Sequence, residues 1–301
     1  MRTVVSLGGM ALLSSGERAD AAVQRRHVRA AARAIAPLAV DDQLLLCHGN
    51  GRQVSLLALE SENDGTLTRP YPLDVLGAQT QGMIGYLLVQ ELRHAGVARH
   101  LAAVVTQAVV DRDDPGFRSP SAFVGPGYTR EQIQLWAGEL GWRMAHDGHE
   151  WRRVVPALNP VHVLELPTIA ALVEAGALVV CGGGGGVPVC SEGDGFGGVD
   201  GLVDSDLTSS LLAVELDADR LMLLTDVGEV RAGFGTTEER PLRRISLREL
   251  ATMSFDATTM GSKVAAAGRF VAATGRPAMI GALGDAVAVS VGRAGTVITA
   301  Y

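Results

Sequence analysis

The sequence predicts an α/β protein built on a mainly parallel sheet covered by helices. Three observations carry this. Short apolar runs alternate with longer helical ones along most of the 301 residues, the pattern of repeated βαβ units. Ala, Val, Leu and Gly dominate while aromatics make up only 4%, a composition suited to strands buried on both faces. Three of the apolar runs end in glycine-rich turns, at the carboxyl ends of strands where open α/β sheets bind ligands.

The elements follow in order. Thr3–Leu7 is a first strand, closed by Gly8-Gly9. Asp20–Ala36 is rich in Ala and Arg and reads as a helix that stops before Pro37, which cannot continue it. Gln43–Cys47 is a second strand, and His48-Gly49-Asn50-Gly51 leads from it into a helix through Leu59. Leu76–Ala95 is helical and Leu101–Val110 a strand. Leu178–Cys181 is a strand running into five glycines, Gly182–Gly186. Ser205–Leu216 is helical, Leu221–Leu224 a strand and Thr259–Ala273 a helix, and Ala278–Gly281 and Thr296–Thr299 are closing strands.

Asp111–Pro160 breaks this rhythm with Pro115, Pro120, Pro126, Pro156 and Pro160. A long segment without core-like pattern is a lid, a small lobe or disorder. Phe117, Phe123, Tyr128, Trp136, Trp142 and Trp151 concentrate here, which favours an ordered lid-like lobe, residues 111–160, inserted in a single domain of residues 1–301.

Composition excludes several functions. The net charge is −7, with no basic block, which disfavours nucleic acid. Cys47, Cys181 and Cys190 are an odd number without CxxC spacing, so neither a disulfide framework nor a zinc site is expected. The seven histidines show no H-x-x-x-H spacing, and no metal ligands are assigned. The first apolar run is too short for a signal peptide or a membrane span, and a cytoplasmic protein with no membrane partner is expected.

Glycine beyond a strand lets backbone N–H groups approach an anion, and a following helix N-terminus adds a favourable dipole. Gly8-Gly9, Gly49-Asn50-Gly51 and Gly182–Gly186 therefore point together to a phosphate site. Lys263 is the only lysine, and the other 25 of the 26 basic residues are arginine. A flexible ammonium is a natural point charge for a phosphoryl group. Competing templates fail. The chain has no G-x-x-x-x-G-K-[ST] and no G-x-S-x-G. Its G-x-G-x-x-G, at Gly193, Gly195 and Gly198, lies in a polar turn that reads as having no strand leading in, so it is assigned to chance.

Several segments resemble the signature segments of carbamate kinases, in that family's order and spacing. They are Gly8-Gly9-Met10-Ala11-Leu12-Leu13, His48-Gly49-Asn50-Gly51, Tyr71–Ala78, Gly82-Met83-Ile84-Gly85-Tyr86, Cys181–Val189, Leu224-Thr225-Asp226-Val227 and Met260-Gly261-Ser262-Lys263-Val264. The resemblance implies the amino-acid-kinase fold: an αβα sandwich with an open, mainly parallel central sheet and a small protruding lobe. It also implies a homodimer, ATP/ADP and Mg2+, and reversible phosphoryl transfer between ATP and carbamate. In cells that family often runs toward ATP synthesis from carbamoyl phosphate and ADP. By the same resemblance Gly8 and Gly9 line the transferring phosphate, and Gly49, Asn50 and Gly51 the acceptor, with Arg52 beside them. Gly183, Gly184 and Gly185 lie along the cleft. Thr225, Asp226, Val227 and Met260 sit by the nucleotide, Asp206 orients the cationic groups, and Lys263 neutralises the phosphates.

The departures from the family fall at the chemistry. Met10 stands where the family has asparagine, and Arg52 where proline is usual. Two family lysines are here Ala122, in Ser119–Pro126, and Ser205, in Val203-Asp204-Ser205-Asp206. Arg231 stands where a tyrosine near the adenine is usual. Base bias exchanges lysine for arginine, whereas at the two lysine positions the replacements, Ala122 and Ser205, are uncharged. Removing one charge-stabilising donor costs about 10²–10³ in rate. Three readings follow: an active carbamate kinase in which Arg52, Arg118 or Arg231 supplies charge, a kinase for another small acceptor, and a nucleotide- or metabolite-binding regulatory protein without turnover.

Overall fold

A computed structural model describes residues 1–13, 17–255 and 260–301. Its centre is an eight-stranded sheet, whose strands are β1 (Arg2–Leu7), β2 (Gln43–His48), β3 (Leu101–Ala103), β4 (Leu178–Val180), β5 (Arg220–Thr225), β6 (Arg244–Ser246), β7 (Ala278–Ala282) and β8 (Thr296–Thr299). They lie in the order β6-β8-β7-β5-β1-β2-β4-β3. All neighbours run parallel except β7 and β8.

The period-2 alternation of each strand divides the core in two. In β1, Val4 faces one apolar cluster, and Val5 and Leu7 face another. On the first face pack α5 (Leu166–Glu174), α6 (Ser205–Glu215) and α7 (Ser262–Thr274), through residues such as Ile169, Leu212 and Phe270. On the second face pack α1 (Ala21–Ile35) and α3 (Leu73–His94), through Val28, Ile35, Ile84 and Leu88. The expected three-layer αβα sandwich results. The expected helix over 259–273 is observed from Ser262, and Thr259 lies outside the described residues.

The expected single strand Leu101–Val110 is in fact two. β3 stays in the main sheet, whereas Gln107–Val110 joins a second, four-stranded sheet with Pro160–Val163, Val187–Glu192 and Gly195–Gly198. One continuous apolar run thus serves two sheets, which hydrophobicity does not reveal. The G-x-G-x-x-G turn is also corrected. A strand, Val187–Glu192, does lead into it, but the chain returns as an antiparallel strand instead of opening a helix, so the motif makes a hairpin and no dinucleotide site.

Within 111–160 the strands 122–128, 144–146 and 151–155 form a separate three-stranded sheet, with α4 (Arg130–Leu140) between the first two. Helix α4 carries a full capping box, from Thr129 to Gln132, and ends at Gly141 in the left-handed region at φ 68°. Those local stop and start signals order it. The sheet docks on α2 (Gly51–Asn63) and the start of α3 through Val124, Val155, Val54 and Leu76.

Candidate active site

Four adjacent strand ends build the site: Thr225 closing β5, Gly8 after β1, His48–Gly51 closing and following β2, and the glycine run after β4. The turns are stitched to one another. The Gly8 N–H donates to Leu224 O and the Gly49 N–H to Leu7 O, both at 2.8 Å. A Cβ on Gly49 would lie 2.8 Å from the Gly9 nitrogen, so the first two turns pack backbone on backbone and admit no side chain there.

The glycine run is compelled by its backbone. Gly182, Gly184, Gly185 and Gly186 have φ of 60°, 62°, 87° and 90°, a region that side-chain-bearing residues avoid. Gly183 is excluded from substitution by space, since its Cβ would lie 2.5 Å from the His48 ring. A Cβ on Gly184 would meet the Asn50 amide at 2.2 Å, and one on Gly185 would meet Val203 O at 2.4 Å. The second and third turns are therefore in contact. Asn50 is buried, and its Nδ2 donates to Thr80 Oγ1 at 2.8 Å.

His48 is fully buried beneath these turns. Its Nδ1 is 3.0 Å from Gly49 O, and a carbonyl only accepts, so Nδ1 carries the hydrogen. Burial lowers its pKa to about 4, against a smaller opposing effect of that hydrogen bond, and the ring is neutral near pH 7. Cys47 and Cys181 are buried alongside. A hydrogen bond with Cys47, reinforced by burial, pushes the Cys181 thiol well up. Neither thiol has the electropositive, exposed setting of a nucleophile.

Charge enters from the other helix layer. Lys263, in the first turn of α7, places Nζ 2.8 Å from Asp206 Oδ2. The other oxygen of that carboxylate accepts from Ser6 Oγ at 2.7 Å. Asp206 is in the first turn of α6, whose N-cap Asp204 accepts from the N–H groups of Asp206 and Leu207 at 2.8 and 3.1 Å. Asp204 Oδ2 also accepts from Ser262 Oγ at 2.5 Å. Two successive residues of α7 are thus tied to the acidic start of α6. The ammonium stands at the first glycine turn: a Cβ on Gly8 would lie 3.4 Å from Lys263 Nζ.

The structure brings together Gly8, Gly9, Gly49, Asn50, Gly183, Gly184, Gly185, Asp206, Thr225 and Lys263. Gly51 opens α2 and has open space around its Cβ position. Thr225 Oγ1 donates to Asp226 Oδ1 at 3.0 Å, while Asp226 and Val227 face solvent. Met260 packs against the first apolar cluster. Of the arginines weighed for the missing charge, Arg231 is ion-paired with Glu239 at 2.6 Å, and Arg52 donates to Glu17 O at 2.7 Å. Arg118 is exposed. Ala122 packs at the margin of the apolar cluster between lobe and α2. Ser205 leads α6, and its carbonyl accepts from Ser209 Oγ.

Sequence reasoning missed Ser6, Thr106 and Thr208. The Thr106 hydroxyl accepts from the Gly182 N–H at 2.9 Å and Thr208 Oγ1 donates to Gly185 O at 2.7 Å, so both hold the glycine run. For Ser6 and Thr106 the available signal was a hydroxyl inside an otherwise apolar run, whereas Thr208 lies among Ser205, Ser209 and Ser210 and carried none. A cavity of about 630 Å³ among Arg33, Pro37, Val40 and Arg99 lies at the amino ends of β2 and β3 and contains none of the site residues. Among the described residues no cluster of three or more His, Cys, Asp or Glu could hold a metal ion, and no helix is long and apolar enough to cross a membrane.

Backbone N–H groups on glycine turns, one carboxylate-held ammonium and a neutral imidazole suit the binding and neutralisation of an anion, with no nucleophile supplied by the protein. That is the demand of phosphoryl transfer, in which positioning and electrostatics do most of the catalysis. Comparison with known proteins agrees. The model of the Amino acid kinase family matches residues 1–282. The carbamate kinase of Rhizobium meliloti (strain 1021) is 46% identical over 310 residues, covering 99% of this chain and 93% of that protein. The carbamate kinase of Haemophilus influenzae is 42% identical, covering 99% and 97%. The structure of carbamate kinase from Giardia lamblia bound to AMP-PNP superposes with a TM-score of 0.93 at 36% identity, covering 99% of this chain and 98% of that one.

Proposed function

The chain belongs to the carbamate kinases of the amino acid kinase family and is a phosphotransferase of that kind; from this premise we propose that it transfers the γ-phosphoryl group of ATP to carbamate, and the reverse, with Lys263 as its one cationic catalytic residue. The observation that carries this reading is the Ser6–Asp206–Lys263 chain of contacts at 2.7 and 2.8 Å, which sets an ammonium at the Gly8 turn.

In the forward direction a carbamate oxygen attacks the γ-phosphorus, a new P–O bond forms, and ADP leaves with the electron pair of the broken bond. Carbamate is already an anion and needs no general base, which fits a site whose histidine is neutral and hydrogen-bonded to backbone. Lys263 neutralises the charge on the transferring group and Asp206 fixes its direction. The Gly8 and Gly9 turn follows the transferring phosphate, while Asn50, Gly51 and Gly184 shape the acceptor side. Thr225, Asp226, Val227 and Met260 form the nucleotide side, and binding of AMP-PNP by the Giardia lamblia carbamate kinase supports a nucleotide site in this fold. Residues 111–160 act as the lid-like lobe of a single domain.

The described residues do not fit a protein-borne magnesium site. Asp206 is committed to Lys263 and Ser6, and Asp204 to the α6 cap and Ser262. Magnesium would instead enter with the nucleotide, held by its phosphate oxygens.

We further propose, on the family resemblance, a cytoplasmic homodimer; light scattering at twice the 31.4 kDa of one chain tests the assembly. The catalytic reading is tested by coupled detection of ATP from carbamoyl phosphate and ADP. Formation of ATP supports it, and its absence at every magnesium concentration sinks it.

A further inference from the structure

The lobe and the acceptor turn share one helix. Helix α2 begins at Gly51, immediately after Asn50, and runs to Asn63. Along one of its faces, at helical spacings of four, three and four, lie Gly51, Ser55, Ala58 and Glu62. The lobe strand 122–128 lies along α2 and grips it at two points seven residues apart. The Ser55 hydroxyl accepts from the Gly125 N–H at 3.2 Å. Tyr128 Oη sits 2.8 Å from both oxygens of the Glu62 carboxylate and donates to it. Between them Val124 packs with Val54 and Ala58 in one apolar cluster.

The strand is shaped for this grip. Its register shifts between Val124 and Tyr128, and Gly125, at φ 76°, leaves room that a Cβ would close to 2.8 Å from the Tyr128 hydroxyl. Tyr128 is only 7% exposed. Arg152 and Arg153, from the neighbouring lobe strand, contribute positive charge around the pair. Arg153 is itself paired with Asp200 and stacked 4.0 Å from the Trp142 ring centre.

Glu62 lies about three turns along α2 from Gly51, and there a part-buried tyrosine–carboxylate bond ties the helix to a separate sheet. We propose that Tyr128 and Glu62 are positioning residues. The lobe latches the far end of α2 through them, and the helix, as a rigid rod about 20 Å long, transmits that placement to Asn50 and Gly51 and hence to the acceptor. This rests on the assignment of the Asn50 turn to the acceptor.

The test uses the full-length protein with Tyr128→Phe, Glu62→Ala and Glu62→Gln, and with Ile35→Val as a control for general loss of packing. Two readouts are taken: steady-state KM for carbamoyl phosphate and for ADP, and amide exchange of Val54 without any substrate. The Val54 N–H makes the first hydrogen bond of the helix, to Asn50 O at 2.9 Å. Tyr128→Phe and Glu62→Ala are expected to raise KM for carbamoyl phosphate about tenfold, the scale of one lost charge-assisted hydrogen bond, and to speed Val54 exchange by a similar factor. KM for ADP stays unchanged, and Glu62→Gln, which keeps an acceptor oxygen but not the charge, falls between the parent and Glu62→Ala. Unchanged Val54 exchange in Tyr128→Phe overturns the latch, as does an equal rise in both KM values matched by Ile35→Val. A protein that turns over no carbamoyl phosphate refutes the acceptor assignment, and Val54 exchange still decides the latch.

Discussion

Lys263 Nζ and Asp206 Oδ2 are 2.8 Å apart, and the second oxygen of that carboxylate is held by Ser6 at 2.7 Å. Both side chains are mostly buried, at 13% and 7% exposure. The ammonium is therefore fixed in direction before any substrate arrives, which is what electrostatic preorganisation requires. With Ala122 and Ser205 uncharged, the cationic work of the site falls, as proposed, on this one ammonium.

Lys263→Met should lower kcat by about 10²–10³. Lys263→Arg should not restore it, because a planar fork longer than an ammonium does not reproduce the single contact to Asp206. Steady-state kinetics of the two variants, with circular dichroism to confirm folding, check this.

The two positions at which the family resemblance implies lysine, Ala122 and Ser205, should behave differently when given one. Ser205 stands in the first turn of α6 beside Asp206, so Ser205→Lys should raise kcat by about tenfold, a fraction of the usual effect of one donor. Ala122 packs against the apolar cluster of Val54, Val124 and Val155. Ala122→Lys should lower Tm instead, since an ammonium there needs desolvation or displaces the lobe from α2. Kinetics and thermal melts of both variants separate the two outcomes.

Much of this was legible in the sequence. Strands read at Gln43–Cys47 and Leu221–Leu224 were found, within a residue of the observed Gln43–His48 and Arg220–Thr225, because each apolar run is bounded by turn residues. The convergence of the glycine turns was legible because three of them close strands of one sheet. The split at Val104–Thr106 was not legible, since an apolar run does not say which sheet it joins. Ser6 was hidden inside β1, where burial and strand position mask a hydroxyl. The Lys263–Asp206 pair, 57 residues apart in sequence, and the Tyr128–Glu62 pair, 66 apart, are products of topology, and no local pattern reveals them. The partnering of Arg231 with Glu239 likewise required the 230–242 hairpin to be seen.

Gly184→Ala should disable the acceptor side. The backbone there is left-handed at φ 62°, and a Cβ would sit 2.2 Å from the Asn50 amide. The left-handed conformation costs about 1–2 kcal/mol, and Asn50 must move as well. KM for carbamoyl phosphate should rise by at least tenfold with a lower Tm, whereas Gly9→Ala, with open space at its Cβ, should keep Tm unchanged.

Stability should fall at mildly acid pH through His48. Its folded-state pKa of about 4 lies below the unfolded value near 6.5. Between those two values the unfolded chain binds the extra proton, so stability rises with pH there. The contribution is complete above about pH 6.5 and is lost as pH falls toward 4, amounting to about 3 kcal/mol. Denaturant titrations from pH 7 to pH 4.5, compared between the parent and His48→Gln, should show the parent losing more.

The most direct test of the central claim is the initial rate of ATP formation from carbamoyl phosphate, ADP and magnesium by the purified parent and by Lys263→Met. A measurable parental rate that falls by about 10²–10³ in the variant is the result expected of a site run by one carboxylate-held ammonium. An unchanged rate in Lys263→Met, or no ATP from the parent while ADP still raises its Tm, would contradict it and leave a nucleotide-binding protein without this chemistry.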